Sequence, residues 1–361
     1  MKPELIYKKA LDLKFISRDE ATFLYKFADT SELIFISNEI RKKLHPDSSV
    51  SWIIDRNINI TNVCISNCRF CNFHCKPNSV KSYITSIDQY KIKIKELLDL
   101  GGNQILLQGG LHPKLGLDFY TDLFSELKKL FPDIKLHALG PPEVHHLSKL
   151  SKKTYKEVLI SLINSGLDSL PGAGAEILSD RVRKTISPGK CTSKQWLDVM
   201  RAAHNLGLST SATMMFGHIE TIEERIDHLF LLRELKNECS KNYPGFVSFT
   251  PWPFQSENTA LNQDYDIKRT TANDYIRLIA LSRIVLLNIK NIQASWLTVG
   301  FETAKICLHA GANDFGSIMI EENVVSSAGA KYSTSKEKMK NEILSAGFIP
   351  HLRNQKYEYL D

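Results

Sequence analysis

The sequence predicts an α/β fold, a (β/α)8 barrel of the TIM type with helical additions at both ends. Short apolar segments alternate with amphipathic helical patterns along most of the chain. This alternation is typical of a parallel sheet with right-handed crossovers. Eight strand–helix units over about 270 residues match a closed barrel in number and in length. A doubly wound open sheet is the alternative, because it has the same alternation.

The strands are predicted from runs of apolar and β-branched residues bounded by turn residues. They are expected near Asn57–Val63, Gln104–Gln108, Ile134–Leu139, Leu167–Leu170, Ser209–Phe216, Phe246–Thr250, Ile292–Trp296 and Phe315–Ile320. Helices are predicted where apolar residues recur three and four positions apart, as at Tyr90, Ile94 and Leu97.

Three regions are expected along the chain. Residues 1–50 form an N-terminal helical extension, in which Ser17 and Glu20 have the spacing of a capping box. Residues 51–330 form the barrel, and residues 331–361 form a C-terminal helical tail that packs on it. Since barrel enzymes carry their active sites at the carboxyl ends of the strands, residues just past each predicted strand are the candidates for function.

The composition excludes several classes of protein. The 361 residues carry a net charge of +6, and the lysines are scattered among acidic residues, so neither a nucleic-acid partner nor a membrane partner is expected. The N-terminus has no apolar segment of the kind found in secretory signals. No apolar run approaches the roughly 18 residues that a membrane span needs. We therefore expect a cytoplasmic protein.

Four of the seven cysteines lie close together, at Cys64, Cys68, Cys71 and Cys75. The first three have the spacing C-x3-C-x2-C and follow the first predicted barrel strand. Three thiolates on one short loop can hold three irons of a [4Fe–4S] cluster and leave the fourth iron without a protein ligand. Ferredoxins instead close the cluster with a fourth cysteine.

A zinc site is the alternative interpretation of these cysteines, and it would make the chain a zinc-stabilised binding module without catalysis. Zinc sites usually combine two C-x2-C pairs or cysteine with histidine. No second pair is present here, although His74 or Cys75 could in principle provide a fourth ligand.

The cysteine loop, with Phe70 directly before the third cysteine, resembles that of the radical S-adenosylmethionine (SAM) superfamily. Further motifs resemble one family within it, the dehypoxanthine futalosine cyclases of the futalosine route to menaquinone. These motifs are DRNIN at 55–59, QGGLHP at 108–113, PPE at 141–143, LDSLPGAGAEIL at 167–178, ATMMFGH at 212–218, WPFQ at 252–255 and SW at 295–296. The similarity extends from about residue 5 to the Arg353-Asn354 region.

The resemblance implies a [4Fe–4S] cluster held by Cys64, Cys68 and Cys71, with SAM chelating the open iron. A 5′-deoxyadenosyl radical would abstract hydrogen from ribose C4′ of dehypoxanthine futalosine, and the sugar radical would add to the benzoate ring to give cyclic dehypoxanthinyl futalosinate. A flavodoxin or ferredoxin would supply the electron. Aminodeoxyfutalosine synthase and the deazaflavin-cofactor synthase subunits are alternatives, because they share the cluster.

Four residues are expected to bind SAM by this resemblance. Gln108, Gly109 and Gly110 end the second predicted barrel strand, where glycine lets the backbone approach a ligand closely. An ordinary turn between strand and helix is the alternative for this motif. Glu176 follows the fourth predicted barrel strand and would face polar groups of SAM or substrate. It could also be only a favourable charge at the start of a helix.

The cyclisation ends with loss of a proton, so a histidine or glutamate is expected to act as base. We predict His218 and His112 for this role and include Glu176 among the catalytic residues. Other polar side chains at strand ends are His137, Glu143 and Gln255. Each could equally be a solvated loop residue or a hydrogen-bonded core residue.

Overall fold

Three helices precede the barrel in the computed structural model, which describes residues 2–321 and 334–361. They are α1 (Pro3–Leu11), α2 (Arg18–Phe27) and α3 (Thr30–Leu44). The expected capping box begins α2, because Ser17 Oγ accepts the N–H of Glu20 and the Glu20 carboxylate accepts that of Ser17. Arg277 of the barrel donates to the carbonyls of Tyr25 and Ala28. These contacts fix the extension to the outside of the barrel.

Eight strand positions form a closed parallel barrel in the described part of the chain. The first position is the segment β1 (Ser49–Ile53) and β2 (Asp55–Asn59). The others are β3 (Gln104–Gln108), β4 (Lys135–Ala138), β5 (Leu167–Leu170), β6 (Ser209–Phe216), β7 (Gly245–Pro253), β8 (Asn291–Ile292) and β9 (Asp314–Ser317).

The sheet closes on itself. Strands β2 to β8 are neighbours in chain order, Gln293 bridges to Asp314 at the end of β8, and β9 pairs in parallel with β1. The predicted barrel is therefore confirmed, and the open-sheet alternative is wrong.

Helices cover the outside of the barrel. They are α4 (Ile87–Asp99), α5 (Leu117–Leu130), α6 (Pro141–Ser151), α7 (Tyr155–Asn164), α8 (Asp180–Ile186), α9 (Ser193–Asn205), α10 (Ile222–Glu238), α11 (Ala260–Tyr265), α12 (Ala272–Val285) and α13 (Trp296–His309). Capping boxes begin α4, α7, α9, α10 and α12, and each cap stabilises its helix by about 1 kcal/mol. Among the residues that the structure describes, no helix is both long and apolar enough to cross a bilayer.

The first barrel strand differs from its predicted range. The sheet begins at Ser49, eight residues before the predicted start, and β2 ends at Asn59 rather than at Val63. Thr61 instead pairs with Ile84 in an isolated antiparallel bridge, and its hydroxyl donates to the carbonyl of Tyr83. The chain thus leaves the barrel early to begin the cysteine loop.

The C-terminal part is a helix followed by a strand, α14 (Lys336–Ser345) and β10 (Ile349–Leu352). Gly347 has a φ of +83°, the left-handed conformation that commonly ends helices. Strand β10 then pairs in parallel with β1, whereas the sequence predicts a helical tail. Local periodicity cannot reveal this strand, because its partner is near the other end of the chain. The predicted boundary between residues 330 and 331 lies outside the described residues.

Candidate active site

A cavity of about 430 Å³ lies inside the barrel and opens at the carboxyl ends of its strands. Its wall includes Asp55 and Asn57 from the barrel interior, Cys64 from a strand-end loop and Arg353 from the C-terminal tail. A cavity of this size holds a small-molecule ligand.

Cys64, Cys68 and Cys71 line the same cavity, on the loop that follows β2. The loop is fastened to the barrel by its backbone. The N–H of Cys64 donates to the carbonyl of Cys75, and the N–H of Cys75 donates to that of Asn62. Cys75 thus holds the base of the loop through its main chain, and its side chain is not among those that line the cavity.

Neighbouring groups set the proton affinity of two of these thiols. Burial raises the pKa of Cys68 to about 11. Burial also raises the pKa of Cys71, but the hydrogen bonds from the His74 side chain and from the Phe73 and His74 backbone together outweigh it and lower that pKa below its usual value. The Ser66 hydroxyl lies 2.9 Å from Cys64 Sγ and 3.3 Å from Cys68 Sγ. The N–H of Leu111 donates to Cys64 Sγ at 3.3 Å. Such donors stabilise sulfur ligands of iron–sulfur clusters.

The arrangement of the thiols suits a cluster better than a single metal ion. Among the described side chains, no three Cys, His, Asp or Glu residues are placed to hold one ion, as a tetrahedral zinc site requires. A [4Fe–4S] cluster binds each thiolate to a different iron, so the sulfurs need not converge on one point. The three cavity-facing thiols, with the Ser66 hydroxyl and the Leu111 N–H beside them, therefore fit the cluster.

The Gly109-Gly110 pair packs directly against the cysteine loop. A Cβ atom at Gly110 would lie 2.1 Å from the carbonyl oxygen of Val63 and 2.8 Å from Cys64 Cβ. A Cβ atom at Gly109 would lie 3.0 Å from the Thr61 nitrogen. Gln108, Gly109 and Gly110 all line the cavity, as residues that bind a cofactor there would have to. The absence of side chains lets the backbone support the loop and still face the cavity.

Glu176 lies buried at the cavity wall in an ion pair with Lys190, whose Nζ is 2.5 Å from Oε1. Burial raises the pKa of Glu176, but the ammonium of Lys190 outweighs it and lowers that pKa below its usual value. Burial lowers the pKa of Lys190, but Cys68 and Glu176 outweigh it and raise that pKa. Both groups are therefore charged at neutral pH. Glu176 also has a φ of +43°, a strained conformation that is frequent at functional sites.

Arg183 holds together the two segments that carry this pair. Its side chain is 3% exposed and donates to the carbonyls of Gly174, Ala175 and Cys191. Neither Lys190 nor Arg183 is singled out by the sequence, because no local motif marks a residue whose partner is fixed only by the folded loops.

The two histidines predicted as bases do not reach the cavity. His218 is buried and its Nε2 lies 3.0 Å from the carbonyl oxygen of Met215, while Nδ1 lies 3.0 Å from Glu220. His112 accepts the N–H of Lys114 through Nδ1. Neither ring is among the groups that line the cavity, so the structure does not bring these two residues to Glu176.

The other polar candidates, His137, Glu143 and Gln255, do line the cavity. Burial lowers the pKa of His137 to about 3, and Nδ1 lies 2.7 Å from the Ser169 hydroxyl. Burial raises the pKa of Glu143 to about 7. His137 is thus a neutral, hydrogen-bonded ring, whereas Glu143 can change its charge near neutral pH.

The C-terminal tail closes the cavity at the end opposite the cysteine loop. Arg353 is 3% exposed and pairs with both carboxylate oxygens of Asp314, at 2.6 and 3.0 Å. Its guanidinium lies over the ring of Tyr357, and Gln104 of β3 donates to the side-chain oxygen of Gln355. These residues are not predictable from the sequence, because nothing in the tail itself indicates that it enters a barrel.

A closed (β/α)8 barrel with three cavity-facing thiols on its first strand-end loop defines a cofactor-dependent barrel enzyme with an iron–sulfur centre. The sequence profile of the radical SAM superfamily matches residues 58–232, and that of the CofH/MqnC C-terminal region matches residues 243–361. The chain belongs to the radical SAM superfamily and, within it, to the family of CofH and MqnC. It is therefore an enzyme that uses a [4Fe–4S] cluster and SAM, and the non-catalytic zinc module is wrong.

Two named groups of enzymes are similar to the chain over nearly its whole length. The cyclic dehypoxanthine futalosine synthase of Halalkalibacterium halodurans is 40% identical over 98% of this chain and 94% of its own. The 5-amino-6-(D-ribitylamino)uracil–L-tyrosine 4-hydroxyphenyl transferase of Archaeoglobus fulgidus is 39% identical over 91% of this chain and 94% of its own. The resemblance to the dehypoxanthine futalosine cyclases is confirmed. The sequence identities of this chain to the two enzymes, 40% and 39%, are nearly equal.

Among solved structures, methylornithine synthase (PylB) has the same fold. It superposes with a TM-score of 0.71 and 16% identity, covering 97% of this chain and 98% of its own. At that identity the likeness supports the barrel alone.

Proposed function

We propose that the chain cyclises dehypoxanthine futalosine to cyclic dehypoxanthinyl futalosinate, a step towards menaquinone. The observation that carries the proposal is the 40% identity to a cyclic dehypoxanthine futalosine synthase over 98% of the chain. The cavity supports it, because the three thiols and the Glu176–Lys190 pair face one enclosed volume.

In this proposal Cys64, Cys68 and Cys71 hold three irons of the cluster, and the fourth iron is left to SAM. Lys190 and Glu176 offer a cation and an anion within one hydrogen bond of each other. They therefore complement the carboxylate and ammonium groups of the methionine part of SAM. Gln108, Gly109 and Gly110 form the adjacent wall.

When bound, the reduced cluster and SAM supply a 5′-deoxyadenosyl radical that takes a hydrogen atom from ribose C4′. The chain's own task is to hold the ribose and the benzoate ring together and to keep water out. The apolar side chains Met215, Trp252 and Trp296 line the cavity beside its polar groups, so an aromatic ring and a sugar can both be accommodated.

The chain's redox partner in this proposal is a flavodoxin or ferredoxin, which supplies one electron to the cluster. We also place the enzyme in the cytoplasm. None of the seven cysteines forms a disulfide, which is typical of proteins kept in a reducing compartment.

A second candidate is the transfer of the tyrosine 4-hydroxyphenyl group to 5-amino-6-(D-ribitylamino)uracil. The 39% identity to the Archaeoglobus fulgidus enzyme favours it. Aminodeoxyfutalosine synthase activity, the further alternative from the sequence, has the same cofactors.

The test is an anaerobic assay of the protein with its reconstituted cluster, SAM and dithionite. Separate reactions receive dehypoxanthine futalosine, the ribitylaminouracil with tyrosine, or no substrate. We expect 5′-deoxyadenosine and the cyclised product, identified by mass, only with dehypoxanthine futalosine. A product only with the ribitylaminouracil and tyrosine would replace the proposed function by the second candidate.

A further inference from the structure

The proposed cyclisation, on which this inference rests, leaves one proton to be removed from the benzoate ring. A base for that proton has to face the cavity and be free to accept it. His218 and His112 do not line the cavity, so the base has to be one of the groups that do.

Most acid–base groups on the cavity wall are already committed to partners. Asp55 accepts hydrogen bonds from Ser317 and Gln104. The His137 ring is hydrogen-bonded to the Ser169 hydroxyl, and the His74 ring is hydrogen-bonded to the backbone carbonyl of Cys71. Glu176 forms the ion pair with Lys190, which stabilises its carboxylate and makes it a poor proton acceptor.

Glu143 differs from all of these. Within the described residues, its carboxyl group forms no ion pair and accepts no hydrogen bond from another side chain, although it is only 9% exposed and lines the cavity. Its own backbone N–H is the donor it has. A buried carboxyl group that lacks a cation and a side-chain donor is costly, so such a group at a cavity wall points to a bound ligand.

The position of Glu143 follows from the elements around it. Pro141 and Pro142 begin α6 directly after β4, and Glu143 occupies the first turn. A Cβ atom at Gly140 would lie 3.2 Å from both Glu143 Oε2 and Ala173 Cβ. The carboxyl group thus lies between the ends of β4 and β5, next to the loop that carries Glu176.

Several charged and titratable groups lie around Glu143, and burial is the main cause of its raised proton affinity. They are Tyr120 of α5, Glu176 after β5, and Lys190 and Cys191 after α8. Burial raises the pKa of Glu143 to about 7, which Lys190 opposes and Glu176 reinforces. A carboxylate with this proton affinity is suited to general base catalysis at neutral pH.

We propose that Glu143 is the catalytic base that takes the ring proton. A carbon–carbon bond forms when the sugar radical adds to the ring, and the C–H bond at that ring carbon then breaks. The proton goes to the Glu143 carboxylate, and the bound iron–sulfur cluster in its oxidised form would be the acceptor of the one electron released. The ring becomes aromatic again, and atoms and electrons balance.

Glu143→Gln tests the assignment, because the amide has the same shape and no basicity. In a single-turnover assay with dehypoxanthine futalosine, we expect 5′-deoxyadenosine in wild-type amount and cyclised product formed about 10²-fold more slowly. Glu143→Asp should recover part of the rate. Glu302→Gln, whose side chain is 87% exposed, serves as the matched control. Iron content and SAM binding of each variant are measured beside the products.

The pH dependence gives a test that needs no variant. The base works only when ionised, so the ratio of cyclised product to 5′-deoxyadenosine should fall by about tenfold from pH 8 to pH 6 in the wild type. In Glu143→Gln the ratio should be low and independent of pH.

Three outcomes overturn the assignment. One is cyclised product at the wild-type rate in Glu143→Gln, and another is a pH-independent ratio in the wild type. The third is a parallel loss of 5′-deoxyadenosine, product and SAM binding in Glu143→Gln, which would make Glu143 a residue that positions SAM. A wild-type enzyme that releases no cyclised product at all would instead overturn the proposed function, and this inference with it.

Discussion

At the scale of single residues, two buried glutamates in one cavity differ in their nearest charges. Glu176 lies against the ammonium of Lys190 and is held ionised, whereas Glu143 has no cation at hydrogen-bond distance among the described residues. One carboxylate can therefore bind a cationic group while the other exchanges a proton. This difference between the two carboxyl groups depends on the ammonium of Lys190.

Removing that lysine is expected to destabilise the protein. Lys190→Met leaves the Glu176 carboxylate buried without a partner, and the free energy of unfolding should fall by about 3 kcal/mol. Denaturant unfolding followed by circular dichroism under anaerobic conditions measures the change. The exposed Lys194→Met is the control.

The double variant Glu176→Gln/Lys190→Met removes both charges and should recover part of the lost stability. If Lys190→Met is as stable as the wild type, the ion pair does not stabilise the fold.

At the scale of elements, the turn after β3 and the cysteine loop after β2 support each other. Gly110 meets Val63 and Cys64 at distances that leave no room for a side chain, and the next residue, Leu111, donates to the Cys64 sulfur. The turn thus determines where the first cysteine lies.

Gly110→Ala should therefore displace the cysteine loop. The added methyl group would collide with the Val63 carbonyl, so we expect iron and sulfide content to fall below half of the wild-type value after reconstitution. Absorbance near the iron–sulfur band and iron analysis measure this.

Gly116→Ala is the matched control, because a Cβ atom there meets nothing within 4 Å. A fully loaded Gly110→Ala protein would contradict the role given to this turn.

The sequence predicts an element well when the contacts that form it are between residues close together in the chain. The predicted ranges of β3, β5 and β6 agree with the structure, because their apolar runs and turn residues are local signals. The end of β2 was not predictable, since Ile60 and Val63 continue the apolar pattern beyond the strand. The Glu176–Lys190 pair was not predictable either, because it forms only when the loop after α8 folds back.

At the scale of the whole molecule, the C-terminal tail meets the first barrel segment at the bottom of the barrel. Strand β1 lies between β9 and β10, and the tail beyond β10 places Arg353 against Asp314 and under the cavity. The barrel was predictable from eight alternating units. The tail strand β10, which adds to β1 beside the closed barrel, was not predictable, because only its pairing with β1 makes it a strand.

Arg353→Met should weaken the closed end of the barrel. It leaves the fully buried Asp314 without its cation, and loss of one partner of such a pair costs about 3–5 kcal/mol. We expect a lower melting temperature in anaerobic calorimetry of the cluster-loaded protein. Lys356→Met, at an exposed position of the same tail, is the control. An unchanged melting temperature would show that the tail does not secure the barrel.

The closure of the barrel also bears on how the protein is made. Ser51 and Asp314, whose side chains hydrogen-bond at 2.5 Å between β1 and β9, are 263 residues apart. Contacts between residues so distant in the chain form slowly and late in folding. Most of the chain must therefore leave the ribosome before the wall of the cavity is complete. Catalysis that needs the closed cavity therefore follows synthesis of β9.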